Sequence, residues 1–434
     1  MRLTFKQIKD EIGKIVPRSI NYDVDLEAGD IAIFTSEIRQ FLGQDGLASK
    51  ISKKVKRRIK MRPLPEMVMG KDETIEIIHE LVPESAKISE LFFDPCYWNV
   101  IIQCENPSEA VGRRGAITNE IRTKTGWEVK VERTPPIASK TVRDIRGYRE
   151  MHAEERRKLL KNFGLNIHRP KRPGAPWARI TALGSYQEVG RACHLVTTNE
   201  SKIMIDVGVN IASDSDPMPY FNAPEALPLD QLDAVIITHA HLDHAGMLPV
   251  LFKYGYKGPV FCTPPTRDLM LLLQTDYLKI GGSEGRPAPY DMEDIRTCMR
   301  HVVDVEWNQT TDVAPDMKMT FSNSGHIIGS SAVHLNIADG KHNLVFSGDQ
   351  KYEKSWMFDA ANTRFPRCET LVLEATYGAA GDFQPSREEA NQELHDIVSR
   401  TLERNGKIIC PVFAVGRSQE VMIAIDDLFR SGAV

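Results

Sequence analysis

One short segment of the chain concentrates residue types that bind metal ions. It contains four such residues within six positions, His239, His241, Asp243 and His244. Neutral imidazole and carboxylate groups are the ligands that Zn²⁺ prefers, whereas copper(I) and iron–sulfur clusters favour softer thiolates. A lone histidine is usually structural, but three of the chain's 12 histidines fall in this segment. The clustering therefore predicts a metal site.

This segment is predicted to join a strand to a helix. Residues 232–237 are apolar except for Asp233 and rich in β-branched side chains, and residues 247–252 have the composition of a helix. Because alternate side chains of an extended segment point the same way, we expect His239, His241 and Asp243 to converge. We expect His244 to turn toward a second position.

Three further loops place a ligand-type residue next to a predicted strand. Asp206 and Asp349 each follow an apolar strand, and His326 lies in the glycine-containing loop 324–330. Each alone is a weak signal, because aspartate after a strand is commonly a turn former. Together with the histidine segment, they predict one site drawn from four strand ends.

The front of the chain carries an internal repeat of strand, short helix, G-x-x-G and helix. In the second copy the tetrapeptide is Gly112-Arg113-Arg114-Gly115, and in the first it is Gly43-Gln44-Asp45-Gly46. A glycine pair at the start of a helix lets backbone N–H groups approach phosphates, and two arginines add positive charge. Asp45 should instead repel phosphate.

A basic run follows the first tetrapeptide, in and beyond a helix predicted over Leu47–Ile59. It is either a phosphate-binding surface or a solvated helix face, and the sequence does not decide between them. The run consists of Lys50, Lys53, Lys54, Lys56, Arg57, Arg58, Lys60 and Arg62.

The formal charge is divided unevenly along the chain. Residues 1–178 contain 33 Lys and Arg against 25 Asp and Glu, a net charge of +8, whereas the rest of the chain carries −12. A basic front on an acidic body predicts that the front binds a polyanion.

Composition excludes several classes of protein. No run of about 18 apolar residues occurs, so no membrane-spanning helix is expected. The charged start of the chain lacks the apolar core of a signal peptide. The seven cysteines are scattered and never spaced C-x-x-C, which argues against a cysteine zinc ribbon or a disulfide framework and predicts a cytoplasmic protein.

These motifs resemble known families. The H-x-H-x-D-H-x-G segment, the aspartate before it, the Gly-His-x-x-Gly loop and the Ser-Gly-Asp loop resemble the metallo-β-lactamase superfamily. Residues 370–378 and 411–420 are similar to segments of its nucleic-acid-processing branch, the β-CASP nucleases. The G-x-x-G repeats resemble KH domains. The combination resembles the archaeal homologues of the cleavage and polyadenylation specificity factor endonuclease, which are associated with RNA 3′-end formation and transcription termination.

The resemblance implies an α/β fold, a metallo-β-lactamase αββα sandwich with the start of a β-CASP domain, preceded by two α+β KH-like domains. The implied division is a KH-like domain with a degenerate loop (1–69), a KH domain (70–145), a linker (146–178), a metallo-β-lactamase domain (179–378) and an incomplete β-CASP domain (379–434).

It also implies roles for individual residues. One zinc ion would be bound by His239, His241 and His326, a second by Asp243 and His244, and Asp349 would bridge both. Asp206 would orient the histidine segment, acting with Asp243 and Glu374 in catalysis, and Glu374 would assist a proton-donating histidine. Gly112, Arg113, Arg114 and Gly115 would bind RNA.

The implied activity is zinc-dependent hydrolysis of RNA phosphodiesters by a two-zinc-activated hydroxide, leaving a 3′-hydroxyl and a 5′-phosphate. The enzyme would be an endonuclease, with 5′–3′ exonuclease activity also open. The implied partners are single-stranded, U-rich RNA, RNA polymerase in its elongation complex, and a second copy in a homodimer.

Two expected histidines, a second-zinc ligand and a general acid, do not follow Gly416 before the chain ends at Val434, and we expect a truncated chain. Two alternatives stay open. One is a small-ester hydrolase of the same fold, and the other is a non-catalytic RNA-binding factor associated with polymerase.

Overall fold

The front of the chain folds into two three-stranded sheets, each packed against helices. The computed structural model describes residues 3–432 except 44, 173, 214–215, 284 and 286–287. The first unit contains α1 (Phe5–Ile15), β1 (Tyr22–Glu27), β2 (Asp30–Thr35), α2 (Ile38–Phe41), α3 (Leu47–Val55) and β3 (Ile59–Arg62). The second contains α4 (Lys71–Leu81), β4 (Ile88–Asp94), β5 (Asn99–Cys104), α5 (Pro107–Val111), α6 (Ala116–Thr125) and β6 (Glu128–Arg133).

The two units share one topology. In each, the first two strands are antiparallel and the third runs parallel to the second. Each unit has its own apolar core, centred on Ile31 and Ile33 in the first and on Val100 and Ile102 in the second. The structure therefore shows the internal repeat that the G-x-x-G tetrapeptides indicate.

The helix predicted over Leu47–Ile59 is wrong at its end. Lys56 adopts a left-handed conformation with φ 53°, which ends α3 at Val55. The chain then forms β3, whose Ile59 and Met61 pack against the core of the first unit. Because β3 is so short, its alternation of apolar and polar residues is hard to distinguish from one more turn of helix. Gln44 lies outside the described residues.

Two helices occupy much of the stretch to which the sequence assigns a linker, 146–178. They are α7 (Lys140–Met151) and α8 (Ala153–Ile167). Leu160, Phe163 and Ile167 of α8 pack into the core of the body at helical spacing, and Arg156 is 1% exposed. The high charge of α8 hides this apolar stripe, because five of its charged residues follow one another directly, at 154–158.

The body consists of two sheets packed face to face. The first has the order β12-β11-β10-β9-β8-β7 and the second the order β13-β14-β15-β16-β17. The elements are β7 (Ala178–Gly184), β8 (Cys193–Thr198), β9 (Lys202–Ile205), β10 (Ala234–Ile236), α9 (Leu242–Ala245), α10 (Leu248–Lys253), β11 (Val260–Cys262), α11 (Pro264–Ser283), α12 (Met292–His301), β12 (Val302–Asp304), β13 (Thr310–Ala314), β14 (Met317–Asn323), β15 (Ser331–Ile337), β16 (His342–Phe346) and β17 (Thr370–Val372).

Alternate residues of the first sheet enter two different cores. Ile203 and Ile205 of β9 face the second sheet, where they meet side chains such as Phe321. Met204 and Val235 face the other way, toward the helices α10, α11 and α12. A strand buried on both faces is a continuous apolar run, which is why these strands are visible in the sequence.

The last described elements are α13 (Arg387–Glu403) and α14 (Arg417–Arg430). No described helix is both long and apolar enough to cross a bilayer. All seven cysteines are outside disulfides, five of them buried. The boundary at 378–379 between the metallo-β-lactamase and β-CASP domains stays a prediction.

Half of the residues in the predicted basic run contact the body or other parts of the first unit, instead of facing solvent. Arg57 pairs with Asp312 of β13 at 3.0 Å, with both side chains 4% exposed. Arg62 forms a two-pronged contact with Glu27 at 2.6–2.7 Å. Arg58 donates to Gln309 of the body. The positions that stay exposed are Lys50, Lys53, Lys54 and Lys56.

The Arg57–Asp312 contact yields a stability prediction. Arg57→Met leaves a carboxylate without its main ion-pair partner in a buried interface, which should lower the free energy of unfolding by about 3–5 kcal/mol. Urea unfolding measures the change. Lys54→Met is the matched control, because Lys54 is exposed and its pair with Glu11 lies at the surface, where ion pairs contribute little to stability. Equal destabilisation in both variants would contradict the assigned role of the buried pair.

Candidate metal centre

Four loops from both sheets meet at one edge of the body. β9 and β10 are parallel neighbours, so the residues that follow them, Asp206 and His239, emerge at the same edge. His326 lies in the loop between β14 and β15, and Asp349 follows β16. The sequence-predicted convergence of four strand ends is what the structure shows.

One group of ligand atoms surrounds a common point. The Nδ1 atom of His241 lies 3.2 Å from His239 Nε2 and 3.1 Å from His326 Nε2. Asp349 Oδ2 lies 3.8 Å from His239 Nε2 and 3.5 Å from His326 Nε2. Ligand atoms around a tetrahedral zinc ion are about 3.3 Å apart, given bonds of about 2.0–2.1 Å. The donor types and their separations fit such an ion.

A second group shares the carboxylate of Asp349. Its other oxygen, Oδ1, lies 3.0 Å from His244 Nε2. Asp243 Oδ2 lies 3.9 Å from the same nitrogen. The two oxygens of Asp349 thus face different groups, as a bridging carboxylate would.

The expectation that Asp243 converges with His239 and His241 as alternate residues of a strand needs correction. The extended segment ends at His241, because α9 begins at Leu242. Asp243 therefore lies in the first turn of a helix, where its carboxylate is close to the imidazole of His244.

Hydrogen bonds behind the site fix the histidine rings. Asp206 is 1% exposed and accepts from the Thr238 N–H at 2.7 Å, the Thr238 hydroxyl at 2.8 Å and His244 Nδ1 at 2.8 Å. The Thr238 hydroxyl also lies 3.1 Å from His239 Nδ1. Since Nδ1 of each ring is engaged, Nε2 of His239 and of His244 is left to face a metal ion.

Thr238 is the residue that motif reasoning missed. It is buried, and it connects Asp206 with His239. The available signal was a hydroxyl residue directly before the first histidine, at the end of a strand.

Burial and charge act in opposite directions on the ligands. Burial lowers the pKa of His239 well below its ordinary value and lowers that of His326 to about 4, which favours the neutral imidazole that metals bind. Burial also opposes charge on His244, but Asp349 and Asp206 outweigh it and raise its pKa well above the ordinary value. Burial would raise the pKa of Asp349, yet His244 and the other histidines hold it far below the usual range.

The loop that carries His326 is tightly constrained. Gly325 has φ 71°, and a Cβ atom there would lie 2.8 Å from the carbonyl oxygen of Lys351. The Ser330 hydroxyl accepts from the N–H groups of His326 and Ile327 at 3.2 and 3.1 Å. A glycine and a serine thus hold the histidine against the site.

Glu374 follows β17 close to the site. Its N–H donates to the Ser347 hydroxyl at 3.0 Å, two residues before Asp349. Its carboxylate accepts from the Thr376 N–H at 3.0 Å. The structure therefore places Glu374 beside the loop that carries Asp349.

The G-R-R-G loop lies on the second unit, at the start of α6. Gly112 and Gly115 have φ 72° and 76°, and Arg114 has φ 56°. Both arginine side chains are exposed. This arrangement puts two cations at the start of a ten-residue helix.

Comparison with known families agrees with these observations. Residues 195–369 match a metallo-β-lactamase superfamily domain, and residues 2–68 match the KH domain of transcription termination factor FttA. These matches confirm the predicted fold class, KH-like α+β domains followed by a metallo-β-lactamase fold.

Curated relatives resemble the chain over nearly its whole length. Transcription termination factor FttA of Methanosarcina mazei is 46% identical over 428 residues, which are 98% of this chain and 67% of the relative. That of Methanothermobacter thermautotrophicus is 43% identical over 432 residues, 99% and 68% of the two chains. That of Pyrococcus abyssi is 41% identical over 437 residues, 99% and 67%.

The role of Asp206 can be tested with an isosteric change. In Asp206→Asn the amide loses the charge and presents a donor where Nδ1 of His244 needs an acceptor, so zinc affinity should fall about 10- to 100-fold. Competition with a coloured chelator measures it. Asparagine tolerates the φ of 59° at this position.

Asp339→Asn is the matched control, because Asp339 has φ 58° and lies in a turn after β15. Its zinc affinity should equal that of the parent. Parental affinity in Asp206→Asn as well would show that this carboxylate does not position the site.

Proposed function

The chain belongs to the family of transcription termination factor FttA, and from this we propose that it is a metal-dependent ribonuclease acting in RNA 3′-end formation and transcription termination. The observation that carries the proposal is the convergence of three imidazole nitrogens on Asp349, with His244 on the other oxygen of that carboxylate. Such a paired arrangement suits hydrolysis of a phosphodiester.

We assign two ions, most simply Zn²⁺, to the two groups of ligands. His239, His241 and His326 would hold the first, Asp243 and His244 the second, and Asp349 would bridge them. When bound, a pair of such ions polarises the phosphodiester and lowers the pKa of water to about 7.

The chain's own residues prepare the site for that chemistry. Asp206 and Thr238 hold protons on the outer nitrogens of the rings and so keep the inner nitrogens available. Cleavage joins a water oxygen to phosphorus and breaks the bond to the 3′-oxygen, which leaves a 3′-hydroxyl and a 5′-phosphate. We assign to Glu374 a part in delivering the proton that the leaving 3′-oxygen requires.

We assign substrate binding to the front of the chain. The exposed Arg113 and Arg114 lie where a KH-type loop contacts the backbone of single-stranded RNA. A separate RNA-binding unit is consistent with an acidic body, because the body's overall charge of −12 would not itself attract RNA. A U-rich RNA emerging from a transcribing polymerase is the substrate that we propose.

Cleavage of a labelled single-stranded RNA tests the activity. His239→Ala removes a ligand, and since loss of an outer partner alone costs about 10- to 100-fold in activity, zinc-dependent cleavage should fall by more than about 100-fold. His334→Ala is the matched control, because His334 lies on β15, contacts the Arg367 carbonyl and is outside the ligand groups. Zinc-dependent cleavage that survives in His239→Ala would overturn the proposal.

The same assay separates the alternatives. A non-catalytic RNA-binding factor would bind the labelled RNA without cutting it. A small-ester hydrolase would leave the RNA intact and hydrolyse a chromogenic ester in a reaction that His239→Ala abolishes.

The G-R-R-G loop yields a binding prediction. Replacing both Arg113 and Arg114 with alanine should weaken RNA binding and reduce the slope of log K against log salt by about 1.4, since each contact to single-stranded nucleic acid contributes about 0.7. Fluorescence anisotropy over a salt series measures both effects. Zinc content should stay unchanged.

The matched control replaces two exposed lysines of the body, Lys257 and Lys279, with alanine. It changes the net charge equally but should leave the slope near the parental value. If both double variants lower the slope equally, the loop has no specific part in holding RNA.

A further inference from the structure

The segment Phe413–Gln419 reaches the metal centre from far along the chain. His241 Nε2 lies 3.2 Å from the carbonyl oxygen of Val415, 174 positions downstream. The ring of Phe413 lies 6.0 Å from the His241 ring. Nδ1 of His241 points the other way, to the shared point between His239 and His326. His241 is thus held between the candidate ion and this segment.

We propose that the Val415 carbonyl is a positioning group for the metal centre, which rests on the proposed metal-dependent function. A carbonyl oxygen can only accept, so Nε2 of His241 must carry the proton. A neutral imidazole has one N–H, so Nδ1 is then the nitrogen whose lone pair is free to bind metal. The carbonyl therefore selects the tautomer and the ring orientation that bind metal.

The three zinc-facing histidines of the H-x-H-x-D-H segment differ in where this support comes from. His239 is supported by Thr238 and His244 by Asp206, both from the body and close in sequence or in the sheet. The support of His241 comes from a segment that the sequence assigns to the next domain. Zinc binding and the seating of this segment are consequently coupled.

Several contacts fix the position of the carbonyl. Gly416 has φ 95° and ψ −75°, a conformation that residues with a side chain strongly avoid. Gln419 accepts from the Gly416 N–H at 2.7 Å and donates to the Ala414 carbonyl at 2.9 Å. The Ser418 hydroxyl donates to the same carbonyl at 2.7 Å. The turn around Val415 is therefore held from both sides.

The same turn packs against the loop of a second ligand. A Cβ atom on Gly416 would lie 2.6 Å from Ile327 Cγ2 and 3.9 Å from the carbonyl oxygen of His326. No room exists at this contact for a side chain without movement of one partner. One turn thus touches His241 through a hydrogen bond and the His326 loop through packing.

Because binding linkage is reciprocal, the coupling has a consequence in the unmutated protein. Zinc should seat the segment more firmly and slow hydrogen exchange of its amides between residues 413 and 419. The probe is the 434-residue chain with and without ZnCl₂, analysed by mass spectrometry. Unchanged exchange in this segment, with zinc bound to the protein, would overturn the proposal.

Gly416→Ala tests the carbonyl directly. The substitution strains the turn and pushes against Ile327, which should displace the Val415 carbonyl and lower zinc affinity about 10- to 100-fold. The visible absorption of the cobalt(II)-substituted protein should also change, because it reports the ligands and their geometry. Gly255→Ala is the matched control, since Gly255 has φ 96° with no atom within 4 Å of an added Cβ.

Gln419→Ala is a milder second variant that keeps the backbone glycine. It removes two hydrogen bonds of the turn and should also weaken zinc binding, by a smaller factor than Gly416→Ala. Its control is Gln392→Ala, because Gln392 is an exposed residue of α13. Parental zinc affinity and parental cobalt absorption in both turn variants would overturn the proposal.

These readouts are separate from those of the proposed function. If the parent chain binds zinc but does not cut RNA, the ribonuclease activity fails, whereas the role of Val415 is still decided by the affinities. If the parent cuts RNA and the turn variants bind zinc normally, the role of Val415 fails alone.

Discussion

The candidate metal centre depends on which nitrogen of each histidine carries a proton. An imidazole can bind metal only through an unprotonated nitrogen, and a hydrogen bond to the other nitrogen decides which one that is. Asp206 makes this choice for His244, and Thr238 makes it for His239. Without these buried acceptors, three imidazoles and a carboxylate at close range would still lack a common direction. The body can be understood as the framework that fixes these acceptors.

The sheet supplies that framework through burial. β9 and β10 are buried on both faces, so their ends have little freedom, and Asp206 emerges directly from one of them with φ 59°. The second sheet contributes His326 and Asp349 from the opposite side of the interface. The first front unit is tied to the same body by the buried Arg57–Asp312 pair. Its position relative to the body is therefore set by packing and charge together.

The sequence predicted what depends on local pattern and residue type. The continuous apolar strands, the residues of the metal centre and the G-R-R-G loop all carry such signals. It did not predict β3, because the alternation of Ile59 and Met61 is too short to distinguish a strand from a helix. It did not predict the buried face of α8 either, because the buried Arg156 stands within a run of charged residues. The contribution of Val415 was beyond reach, since it comes from a backbone carbonyl that any residue type would offer.

Outer hydrogen bonds turn Nε2 of His239 and Nδ1 of His241 toward one shared ion, and His326 completes its imidazole ligands. A crystal structure of the zinc-loaded protein, with anomalous scattering measured at the zinc edge, would locate this ion. We expect a peak about 2.1 Å from His239 Nε2, His241 Nδ1 and His326 Nε2. A peak elsewhere, no peak, or a zinc ion bound through Nε2 of His241 would show that these hydrogen bonds do not select the ligand atoms.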